Sequence, residues 1–65
     1  MRKTDIDVEN HFSIFLFSLN TKRANAWVDE NCSEPMFFGR KLVVEPRYAE
    51  NLIKGMIKDN LLVRY

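Results

Sequence analysis

Asp5, Asp7, Glu9 and His11 alternate along the N-terminal stretch, so an extended backbone would carry all of them on one side. Carboxylates and an imidazole so placed can ligate a divalent cation. A loosely held tail makes a poor metal cage, however, and alternating charge is ordinary on a protected edge strand. No metal site is assigned. His11 and Cys32 are the only pair that could support nucleophilic catalysis, and no third group stands at a spacing that would orient the imidazole. Cys32 reads instead as a small, half-buried hydrophobe near a helix end. The chain carries no P-loop, G-x-G-x-x-G, H-E-x-x-H or G-x-S-x-G. Its 65 residues also lack the volume to shield an enzyme-sized pocket. The expectation is a protein that is not an enzyme and uses no cofactor.

A second pattern concerns charge at helix ends. The segment Lys22 to Asn31 opens with Lys22 and Arg23 and closes with Asp29 and Glu30; the segment Pro46 to Asn60 has Arg47 in its first turn and Asp59 in its last. A helix macrodipole prefers the opposite order, by about 0.3–1 kcal/mol per well-placed charge. If both helices followed parallel strands, they would begin on one edge of the sheet. Lys22, Arg23 and Arg47 would converge there, with Arg40 and Lys41 joining from the preceding loop and Tyr48 beside Arg47. Such an edge suits an anion or an acidic partner surface. Asp29, Glu30, Glu34 and Asp59 would then form an acidic opposite edge. The plainer alternative is solvated charge, tolerated at small cost or paired by neighbours such as Glu45.

The elements that must position these groups follow from periodicity and turn chemistry. Residues 1–11 read as a polar, loosely held N-terminal segment, with a weak alternation at Ile6, Val8, Asn10 and Phe12. Residues 12–65 read as a single compact α/β domain. Phe12 to Phe17 is the clearest strand, apolar on both faces, and belongs in the middle of a sheet. Ser18 to Thr21 is a turn in which Thr21 or Asn20 can cap the first helix. That helix buries Ala24, Trp27, Val28 and Cys32.

Pro35 bars helical continuation, and Phe37-Phe38 is extended or a short edge strand. Leu42 to Val44 is a second main strand. Pro46 at a first helical position starts the second helix, whose stripe is Tyr48, Ala49, Leu52, Ile53, Met56 and Ile57. Asn60 takes a left-handed stop, and Leu61 to Val63 is a third strand. The expected order is β-α-(β)-β-α-β: three to four short strands with two amphipathic helices, in two or three layers. The helices would cover opposite faces, or share one face while the other dimerises.

Composition bounds the setting. One domain of this length is marginal on a single core, and eight aromatics or a homodimer would help it. A formal net charge of +1 excludes a strongly basic nucleic-acid binder. A lone cysteine forms no internal disulfide and fits a reducing, cytoplasmic setting. The one dense apolar run, Phe12 to Phe17, is too short for a membrane span or signal peptide.

The strings Ala26-Trp27-Val28-Asp29-Glu30-Asn31, Phe38-Gly39, Leu42-Val43-Val44-Glu45, Arg47-Tyr48 and Gly55-Met56 with Asp59 resemble small uncharacterised proteins of bacterial phages and mobile elements. The resemblance spans Thr21 to Tyr65, with Asn60 standing where such relatives favour Gly. It implies a phage-type accessory protein that binds and blocks a host complex, including defence systems. The functional expectation is therefore a non-enzymatic interaction protein with a macromolecular partner. The alternative is a nucleic-acid-binding accessory protein using the basic edge, with Tyr48 and Tyr65 exposed beside Arg47 and Arg64.

Overall fold

The computed structural model describes residues 4–65. The chain order is β1 (Ile6–Asn10), β2 (Phe15–Leu19), α1 (Lys22–Asn31), β3 (Met36–Phe38), β4 (Lys41–Val44), α2 (Pro46–Lys58) and β5 (Val63–Arg64). The strands form one sheet in the order β3-β4-β2-β1-β5. Every neighbouring pair is antiparallel except β1 with β5. The expected α/β class with two helices holds, with five strands rather than three or four.

The central placement of the aromatic strand holds, but its bounds move from Phe12–Phe17 to Phe15–Leu19. Phe12 has φ +64 and is 89% exposed, in the turn between β1 and β2. There its N–H donates to the Asn10 side chain at 2.8 Å, an Asx arrangement that ends β1 instead of extending β2. The alternation at Ile6, Val8 and Asn10 is accordingly a strand of its own. The expectation that residues 1–11 are loosely held is corrected for Ile6–Asn10, which lies inside the sheet between β2 and β5; residues 1–3 lie outside the described residues.

Local chemistry explains the remaining boundaries. Thr21 caps α1 by accepting from the Ala24 N–H at 3.1 Å. Pro46 occupies the start of α2, and Asn60 ends it at φ +66. Gly39 at φ +63 opens the tight turn joining β3 to β4. The last strand is displaced slightly, to Val63–Arg64.

Both helices cover the same face of the sheet. Ala24 and Val28 of α1 and Ala49 and Met56 of α2 share one core with Ile6, Phe17, Leu42, Val44 and Leu61. The helices run antiparallel: Arg23 reaches Asn60, whereas Trp27 reaches Asp59 and sits against Gly55. Asp5, buried, ties the layers together. Its carboxylate accepts from the Thr21 hydroxyl at 2.7 Å and from the Leu62 N–H at 2.9 Å, joining β1 to the α1 cap and to the start of β5.

Candidate interaction surface

Strand alternation sends Ile6, Val8, Phe15, Phe17, Leu19, Leu42, Val44 and Val63 towards the helices. The intervening positions therefore face away from them: Asp7 and Glu9 on β1, Leu16 and Ser18 on β2, Lys41 and Val43 on β4, Met36 and Phe38 on β3, and Arg64 on β5. Among the described residues, no helix covers this second face. Its β3 margin is the most apolar part, with Met36 69% and Phe38 72% exposed. The sequence allowed for one face left open by the helices, and showed the alternation of Asp7 and Glu9, but with residues 1–11 read as loosely held it did not place these two on that face.

The predicted basic edge comes apart. Each helix does start at the carboxyl end of a strand, but β2 and β4 are antiparallel, so those ends lie on opposite edges of the sheet. Lys22 and Arg23 stand at one edge, together with Arg40 and Lys41 at the β3–β4 turn. Arg47 and Tyr48 stand at the other. Convergence of all six residues required parallel neighbours, which the register does not provide.

The surviving four are not equally available. The Arg23 guanidinium donates to the Asn60 carbonyl at 2.8 Å. Lys41 forms an ion pair with Glu9 across the open face. Lys22 and Arg40 have no ion pair among the described residues. A shallow depression of about 340 Å3, lined by Ser18, Leu19, Asn20, Arg40 and Lys41, occupies this edge. On the far edge, Arg47 pairs with Glu45 at 2.9 Å and its guanidinium lies 4.9 Å from the Tyr48 ring centroid.

Nor do the alternating acids and histidine form one cluster. Asp5 is consumed by Thr21 and Leu62, while Asp7 accepts from Thr4 at 2.9 Å and from Asn20 at 3.1 Å. Glu9 meets Lys41 and, at 3.5 Å, His11. The Lys41 hydrogen bond is the main influence holding the Glu9 carboxyl below the ordinary carboxylate range, with His11 adding to it. Among the described residues, no group of three or more His, Cys, Asp and Glu is arranged to hold a metal ion.

Cys32 sits in a groove of about 680 Å3 between the α1–β3 connection and the start of α2, with Leu42, Val44, Tyr48 and Leu52 in its lining. Partial burial pushes the Cys32 thiol above its ordinary pKa, which favours the inert protonated form. No helix among the described residues is long and apolar enough to cross a membrane. Comparison with protein-family models, curated proteins and solved structures found no match to this chain.

Proposed function

We propose that this chain is a small non-enzymatic interaction protein that binds a macromolecular partner, in the manner of phage-type inhibitors of a host complex or defence system. The observation that supports this reading best is the helix-free sheet face. Leu16, Val43, Met36 and Phe38 form its apolar part, and Asp7, Glu9, Lys41 and Arg64 supply polar points for register. An apolar patch on the β3 side, bordered by charged positions towards β1 and β5, is the kind of surface that docks a protein partner. Lys22 and Arg40, at the adjoining edge, favour a partner with acidic groups beside its own apolar patch.

The test is affinity capture from a bacterial lysate with mass spectrometry, comparing the natural chain with Val43→Glu and with Lys22→Glu. The expected result is a protein complex retained through nuclease treatment and high salt, lost with Val43→Glu and weakened with Lys22→Glu. Capture that disappears with nuclease and falls steeply with salt would favour the nucleic-acid reading. Equal capture by both variants would overturn the surface.

A further inference from the structure

The strongest unexplained feature outside the core is the free edge of β3. Met36, Phe37 and Phe38 are all exposed, Phe37 by 47%, and the strand carries no charged residue of its own. Edge strands are ordinarily blunted by Lys, Pro, bulges or shortness. β3 is three residues long and follows Pro35, yet no charge of its own guards its apolar edge. The opposite edge, β5, is two residues long and carries Arg64.

The flanks of β3 make it self-complementary. The segment reads Glu34-Pro35-Met36-Phe37-Phe38-Gly39-Arg40. Turned antiparallel on itself about Phe37, it sets Phe37 opposite Phe37 and Met36 opposite Phe38. The negative flank then lies over the positive one at both ends. Parallel pairing would instead stack like charges. Neither Glu34 nor Arg40 has an ion pair within the chain among the described residues.

The backbone of Met36–Phe38 agrees with this register, while Glu34, at φ +52, and Arg40, in the following turn, flank the extended stretch. Gly39 and Arg40 form a two-residue hairpin turn between the paired residues Phe38 and Lys41. In such a turn the flanking residues exchange main-chain hydrogen bonds, so Phe38 and Met36 point their N–H and C=O groups at β4. By alternation, those of Phe37 point outward from the edge.

We propose that β3 pairs antiparallel with β3 of a second copy of this chain about a two-fold axis at Phe37. At each end the long side chains bring Glu34 of one copy within reach of Arg40 of the other. The two outward Phe37 amide groups exchange hydrogen bonds, and the sheets join into one of ten strands. Met36 of one copy meets Phe38 of the other on the helix-free face, a sulfur–aromatic contact. Because so short a strand buries little area, the dimer is weak and reversible, dissociating in about the micromolar range or above.

Sedimentation velocity over a concentration series up to about 1 mM tests the pairing. The natural chain is expected to pass from monomer to dimer. Glu34→Arg alone and Arg40→Glu alone each set like charges across both ends and weaken the dimer by about tenfold. An equimolar mixture of these two variants restores opposite charges at both ends and recovers the natural affinity as a mixed dimer. Phe37→Pro, which removes the outward N–H while leaving the bonds to β4, gives a monomer with an unchanged circular dichroism spectrum. A natural chain that is monomeric throughout the series overturns the proposal. So does a mixture no tighter than its components, or a chain that pairs only with a foreign strand.

Discussion

The indole of Trp27 lies 3.2 Å from the position a Cβ on Gly55 would occupy, and its N–H donates to the Asp59 carboxylate at 2.6 Å. This contact gives the reversed helix charges a structural meaning. The helices are antiparallel, so the basic start of α1 stands beside the end of α2. Arg23, misplaced for its own dipole, meets the Asn60 carbonyl just past the neighbouring helix. Lys58 in the last turn of α2 is correctly signed.

A glycine inside an exposed helix costs about 1 kcal/mol relative to alanine, so Gly55→Ala would ordinarily stabilise. Against the outer ring of Trp27 part of that gain is lost. In a Trp27→Phe background the crowding atoms are gone and the gain approaches its full value. Urea denaturation of the four-member cycle is expected to show a coupling of roughly 0.5 kcal/mol or more. Identical effects of Gly55→Ala in both backgrounds would refute the close approach.

Asp5 carries more stability than its place near the N-terminus suggests. Replacing it by Ala leaves the Leu62 N–H and the Thr21 hydroxyl without their acceptor, in a partly buried setting. The expected cost is about 2–4 kcal/mol, read as a shift of the denaturation midpoint. Asp5→Asn retains one amide oxygen acceptor and should cost less. A loss below about 0.5 kcal/mol for the alanine variant, the range of an ordinary surface substitution, would show that the carboxylate is not a structural hub.

What the sequence made legible was chemistry acting over a few residues. The Thr21 cap, Pro46 at the start of α2 and the left-handed Asn60 were all readable, because each is set by its own turn. Strand direction is not local in this sense. Whether Arg47 joins Lys22 depends on how β4 pairs with β2, across α1 and β3, and nothing within either segment specifies it. Asp5 was misread for the same reason: its partners are Thr21 and Leu62, and without them a buried carboxylate looks like a tail charge. Phe12 was misread because its hydrophobicity outweighed the turn signal of Asn10.

Phe12 offers a direct check on that last point. A bulky residue at φ +64 holds a strained backbone, at about 1 kcal/mol or more, and at 89% exposure its ring contributes little packing. Phe12→Asn, tolerant of left-handed backbone, is expected to stabilise the fold by up to about 1 kcal/mol in thermal or urea unfolding. Were Phe12 the first residue of the central strand, the same change would instead cost several times that amount.

The ion pair between Lys41 and Glu9 predicts a pH dependence of definite sign. The Glu9 carboxyl is held down chiefly by its Lys41 hydrogen bond, opposed by desolvation and helped further by the Lys41 charge and by His11. A carboxylate with a depressed folded-state pKa stabilises the fold above its unfolded-state value, and that contribution is lost as pH falls through the folded-state value. NMR titration of the Glu9 side chain should therefore show a midpoint below the ordinary carboxylate range. Lys41→Met should move it back up, and His11→Gln should move it by less. Because the pair lies on the open face, raising the salt concentration should shrink the shift in the natural chain and leave Lys41→Met nearly unaffected. A Glu9 midpoint indifferent to Lys41 would mean that the cross-strand pair does not persist in solution, and with it would go the fixed charge placement on the helix-free face.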